Sequence, residues 1–152
     1  MSRWIPITLE NLHESRTAKL VEPLRTKVLA EGQPDPLPPA ITRTVVEIRA
    51  AIAFSGKYRV DRDAAKIPAS LLDLAVLAVV RKLKGRALMP LNDTEKEDER
   101  TYQKRLEQLN AGKWPVEIAD DPEPGPVVQS GGGSQVISSA SRPLTGESLS
   151  GL

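Results

Sequence analysis

The 152 residues carry 21 Lys and Arg against 20 Asp and Glu, a formal net charge of +1 at neutral pH. That balance gives no long-range pull toward nucleic acid or an anionic membrane surface, and no basic face of the kind a DNA binder uses stands out. With no cysteine, a disulfide framework and a thiolate metal site are both excluded, and the composition suits a reducing compartment.

The first residues, Met1 to Pro6, lack the apolar stretch of a secretory signal. The longest apolar run, Leu71 to Val80, contains Asp73 and stops at Arg81 and Lys82, so it reads as a core helix and not a membrane span. Aromatic residues are few (Trp4, Phe54, Tyr58, Tyr102, Trp114). The core must therefore be built from Leu, Val, Ile and Ala, as in helix bundles. The predicted fold is all-α, a small bundle of about four helices with an extended C-terminal tail.

Thr8 is the predicted N-cap of a first helix running through Leu9 and Leu12 to Leu20, with Pro23 interrupting it or opening a second short helix. Leu20, Val21, Leu24 and Val28 form an apolar edge across that junction, and Gly32 marks a C-cap. Gln33 to Pro39 reads as a stiff extended connector. Ile41, Val45, Ile48 and Ile52 then recur at steps of four, three and four, one face of an amphipathic helix from Pro39 to Phe54 or Ser55, ended by Gly56.

Lys57 to Lys66 is a polar loop, and Pro68 introduces a further helix from Ala69 to about Lys84, apolar nearly all round and so buried on several sides, with Gly85 as its stop. Asp93 or Thr94 caps the last helix. Its first turns hold Glu95, Glu97, Asp98 and Glu99, where carboxylates favour the dipole. Tyr102, Leu106 and Leu109 give it a narrow apolar stripe, and Gly112 ends it. The predicted domain covers 1–118. An acidic Pro/Gly-rich linker follows over 119–134, and a partner-docking tail over 135–152.

No combination of residues points to catalysis, a cofactor or a metal. His13, the one histidine, has no Ser, Cys or Asp pattern around it and reads as a surface or packing residue. Asp61 and Asp63, interleaved with Arg59 and Arg62, fail the calcium-loop spacing. Gly131 to Gly133 lacks the strand, helix and Gly-Lys-Ser/Thr ending of a phosphate loop. The basic run Arg81, Lys82, Lys84 and Arg86 is accounted for by a helix C-terminus.

The order of elements resembles the head–tail connector (adaptor, or head-completion) family of tailed phages, including its Mu-type group. The likeness is carried by Thr8 to Leu12, by Ala50 to Tyr58 and by the apolar helix Leu71 to Leu83. It continues in Tyr102-x-x-x-Leu106-x-x-Leu109, in Gly112-Lys113-Trp114 and in the ending Ser141 to Leu152. It spans most of the chain and rests on order and spacing.

The resemblance implies a structural virion protein of the neck, assembled in the host cytoplasm. It would form a homo-oligomeric ring, twelvefold like the portal, joining the portal protein to a stopper or tail-completion protein. DNA would pass through the ring without specific binding. In that setting Arg142, Leu144, Leu149 and Leu152 are the candidate tail-docking residues. Glu95, Glu97, Glu99, Arg81 and Lys82 are the candidates for contacts between subunits. The competing expectation is a small helical interaction or regulatory module with a disordered partner-binding tail.

Overall fold

A short antiparallel ribbon and five helices make up the residues described by the computed structural model, 2–28 and 32–124. In chain order these are β1 (Trp4–Pro6), α1 (Leu9–Glu14), α2 (Ala18–Val28), α3 (Leu37–Ser55), β2 (Lys66–Pro68), α4 (Leu72–Arg86) and α5 (Asp93–Asn110), with a 3-10 turn (Ala69–Leu71) leading into α4. The chain divides into two units, Met1–Asp121 and Pro122–Leu152, and every element belongs to the first. The predicted tail, 135–152, lies outside the described residues. The predicted helical bundle is the observed fold, with the two-stranded ribbon added to it.

Thr8 caps α1 as expected. Its Oγ1 accepts from the Asn11 N–H at 3.3 Å while Asn11 Oδ1 accepts from the Thr8 N–H at 2.9 Å, a reciprocal pair that satisfies two otherwise unpaired donors. The break falls at Ser15 and not at Pro23. The Ser15 hydroxyl donates to the Leu12 carbonyl at 2.7 Å with the backbone extended, which ends α1 after six residues. Pro23 sits inside α2, where it withholds one N–H from the ladder without stopping it.

α3 also begins earlier than the proline-rich sequence suggests, at Leu37. Pro38 and Pro39 occupy its first turn, where no N–H is needed, and Asp35 Oδ1 accepts the Leu37 N–H at 3.0 Å. Gly56 closes α3 with φ +66°, as expected.

α4 does not stop at Gly85. It runs on to Arg86 and ends in a left-handed residue at Leu88, φ +57°. The Leu88 N–H donates to Gly85 O at 3.1 Å and the Met89 N–H to Lys84 O at 2.9 Å. This bond pattern ends a helix on a left-handed residue, usually glycine; here leucine takes the place and Gly85 stays helical. α5 ends the same way with Gly112 in that position, φ +66°, as the sequence indicates.

α4 is the central element: Ala75, Val76, Ala78, Val79, Val80 and Leu83 are all buried. α3 and α5 pack on each other and on α4, and α2 packs on α4 and on its neighbour α1. The α3 stripe behaves as its spacing requires, with Val45, Ile48 and Ile52 buried and Ile41 half-buried. No helix among the described residues is long and apolar enough to cross a membrane.

The ribbon was not legible as strands. Ile5 pairs with Ile67, flanked by Trp4 opposite Pro68 and Pro6 opposite Lys66; proline is tolerated because each strand has a free edge. Residues 116–121 lie over this ribbon. Trp4, fully buried, donates its indole N–H to Glu117 O at 2.8 Å, and Val116 and Ala119 are buried beside it. Asp120 accepts the Arg3 and Trp4 N–H groups at 2.8 Å. Residues 119–121, assigned to the linker from their composition, are thus part of the folded unit.

Candidate functional site

Where α4 leaves the apolar core, its basic residues meet carboxylates of α3 and α5. Arg81 Nε donates to Glu99 Oε2 at 2.7 Å, and its guanidinium lies 5.6 Å from the centre of the Tyr102 ring. Its Nη2 is buried without a partner among the described residues. Lys82 Nζ and the Tyr102 hydroxyl both donate to Glu47 Oε2, at 3.1 and 2.8 Å. Lys84 Nζ lies 2.6 Å from Glu95 Oε1, with both side chains 8% exposed.

Glu95 has a second task. Its Oε2 accepts the Asn92 N–H at 2.9 Å while Asn92 Oδ1 accepts the Glu95 N–H at 2.8 Å. The carboxylate that opens α5 is therefore also the one that neutralises the end of α4.

Burial and these partners set the ionisation of the seam. Burial alone pushes the Glu95 carboxyl up, but hydrogen bonds from Lys84 and Asn92 and the nearby Lys84 and Arg81 charges outweigh it, so the pKa falls below 4.5. Glu99 follows the same pattern, with burial opposed by Gln103 and Arg81. Burial, reinforced by Glu47, drives the Tyr102 hydroxyl well above its ordinary range. The seam is charged and mutually paired at neutral pH.

Of the five residues expected between subunits, Glu97 alone stays well exposed, paired with Arg100 one turn on. Arg81, Lys82, Glu95 and Glu99 bond within the chain instead. Opposite charges at the C-terminal end of one helix and the N-terminal end of the next meet across the turn between them. The tail residues Arg142, Leu144, Leu149 and Leu152 lie outside the described residues. His13 is exposed, its Nε2 3.3 Å from Glu22 Oε1. Asp61 serves the backbone: its oxygens accept the N–H groups of Asp63 at 2.9 Å and Asp120 at 3.1 Å. No group of three or more metal-binding side chains gathers among the described residues.

Among the described residues, two apolar surfaces stand out beside the singly exposed Leu88 and Ile118. On α3, Phe54 is 81% and Val46 57% exposed, and the intervening Ala50 and Ala53 are exposed as well. They form a stripe about 12 Å long on the side turned from the core. Between α1 and α4 lies a groove of about 370 Å³ with Leu72, Val76 and Leu77 along one wall and Glu14, Arg16 and Asp73 among its polar lining. The spacing that marks Ile41, Val45, Ile48 and Ile52 as core leaves Val46 and Phe54 off that face. The stripe was legible in this limited sense.

No protein-family model, no curated protein and no solved structure matches the chain.

Proposed function

We propose that this chain is a structural adaptor, a rigid helical unit whose work is done by binding other protein surfaces and not by chemistry on a substrate. Within that class the reading favoured is a head–tail connector of a tailed phage. A ring of copies would lie beneath the portal in the virion neck, joining it to a stopper or tail-completion protein while DNA passes through the centre.

The observation that carries the reading is the outward apolar stripe of α3, Val46 to Phe54, on a unit whose α4–α5 seam charges are paired internally. A large aromatic held in water on a well-packed helix marks a protein contact more readily than any other role. The order of sequence elements supports the connector form of the reading, and the segment 135–152, with its spaced leucines, supports a second point of attachment to portal or neighbour.

The test is the mass of the purified chain alone and after mixing with a portal-containing head fraction. A ring bound to portals is the expected result. A monomer or dimer indifferent to portals would remove the connector reading and leave a small helical interaction or regulatory module. Deleting 135–152 is expected to weaken attachment to the heads.

A further inference from the structure

The α3 stripe and the α1–α4 groove share no residue, and α3 makes none of its main contacts with α1 or α2. Each is therefore available to a separate molecule while the unit stays folded. Their shapes are complementary: Phe54 and Val46 project from a helix, and Leu72, Val76 and Leu77 flank a recess of about 370 Å³. That volume lies at the small end of the range of pockets that enclose an organic group (about 300–1,000 Å³).

Their charges are complementary too. Arg43 lies one turn before Val46 on the same face of α3, is exposed, and enters no ion pair among the described residues. Lys57 follows the other end of the stripe and is exposed. Glu14 and Asp73, on the groove, are likewise exposed and in no ion pair among the described residues. Cations flank the projection, and the two free carboxylates border the recess beside Arg16, whose guanidinium is paired with Asp98.

We propose that the occupant of the α1–α4 groove is the Val46–Phe54 stripe of a second copy of this chain. The contact joins two different patches, so each copy keeps one of each free after pairing. Contacts of this kind build rings when the rotation closes and open chains when it does not. The inference deepens the ring reading above and rests on it for closure, but the contact itself is testable without any phage component.

The experiment is sedimentation equilibrium of the full chain from about 1 µM to 1 mM, with Phe54→Asp and Leu77→Asp variants alone and mixed. The wild type is expected to grow beyond a dimer with concentration. Each variant alone is expected to stay monomeric over a range raised about 30-fold or more. An equal mixture is expected to stop at a heterodimer, because Phe54→Asp keeps its groove and Leu77→Asp keeps its stripe. Matched thermal unfolding of the variants checks the fold. A milder pair keeps the test open if Leu77→Asp is unstable: Arg43→Glu weakens association, and Asp73→Arg placed in the same chain restores it.

A wild type that stays monomeric across the range overturns the contact. So does loss of association in Phe54→Asp alone, which would mean a symmetric α3–α3 pairing. Loss in Leu77→Asp alone overturns it as well, since the groove would then hold another segment such as 135–152. If both variants still form rings on portal-containing heads, this contact falls and the connector reading stands. If the wild type self-associates in solution but ignores portals, the reverse holds.

Discussion

Two regions of the unit are held by polar contacts, one between neighbouring helices and one between opposite ends of the unit, and they are held differently. In the seam between α4 and α5, Lys84 and Glu95 are 8% exposed and bonded at 2.6 Å. In the strap over the ribbon, Asp120 is exposed and accepts two backbone N–H groups from Arg3 and Trp4. Breaking a buried pair leaves a charge with no water to take it. Breaking an exposed one lets water replace the lost partner. The seam should therefore fail together with the whole fold, whereas the strap can release by itself. A bundle whose cover over residues 3–6 opens before the seam is the expected consequence, at the cost of exposing Trp4, Val116 and Ala119.

The largest effect belongs to the seam. Lys84→Met, which strands the Glu95 carboxylate, is expected to cost about 3–5 kcal/mol in urea unfolding. Adding Glu95→Gln should return most of it, since the amide oxygen can still accept the Asn92 N–H that opens α5. A double variant as weak as the single one would show that the seam's worth lies in the charges themselves.

The strap contributes next. Trp4→Phe keeps the buried ring but removes the N–H donated to Glu117 O, with an expected loss of about 1–2 kcal/mol. The comparison predicts that this loss appears first as faster hydrogen exchange at residues 3–6, ahead of exchange in α4. Simultaneous acceleration in both places would mean that strap and bundle are one cooperative unit.

Acid should separate the two regions as well. Backbone N–H groups of Trp4 and Arg3 hold the Asp120 carboxyl below its ordinary 3.8, and the Glu95 carboxyl lies below 4.5. A carboxylate whose folded pKa is depressed contributes stability that is present above its ordinary value and lost as pH falls through the folded one. Both regions are thus at full strength at neutral pH and weaken below about pH 4. In the strap the loss is expected as early exchange at Arg3 and Trp4, and in the seam as a lowered unfolding temperature. A fold whose midpoint is unchanged between neutral pH and pH about 3 would contradict the seam assignment.

The same contrast explains what could be read in advance. The α3 and α4 cores were legible because burial there repeats with the helix: Val45, Ile48 and Ile52 on one, nearly the full circumference on the other. The α1 cap was legible because Thr8 stands just before the apolar run that starts at Leu9, and the α5 end because Gly112 takes the left-handed position. The strap had no such signal. Residues 119–121 carry the composition of a linker, and only contacts with residues about 60 to 117 positions away, Arg59, Asp61, Arg3 and Trp4, make them structural.

The α4 end misled for the opposite reason. Gly85 is the expected stop, yet the chain tolerates Leu88 at φ +57° instead, a conformation that costs a leucine about 1–2 kcal/mol. The acidic residues at the start of α5 are grouped in sequence as candidates for contacts between subunits, but side-chain direction divides them. Glu95 and Glu99 turn to the basic residues of α4, and Glu97 turns to solvent. Arg49 shows the same limit. It falls off the core stripe of α3, yet its guanidinium ties the helix to the carbonyls of Asp63 and Lys66.

Glu97 gives the smallest predicted effect and the one that bears on assembly. Its partner Arg100 is 2.8 Å away, with the two side chains 67% and 76% exposed. Such a pair, one helical turn apart in water, is worth at most about 0.5 kcal/mol, so Arg100→Ala should leave urea unfolding of the dilute chain almost unchanged. The same substitution measured at a concentration where copies associate asks a different question. If the outer face of α5 stays in solvent, the difference between variant and wild type remains as small as before and falls further with salt. A cost that grows beyond about 1 kcal/mol only in the associated state would place Glu97 and Arg100 at a subunit boundary, because only a covering surface can raise the worth of an exposed pair. That outcome would move the contact from the α3 stripe toward α5, and a null result would leave the stripe as the better-supported surface.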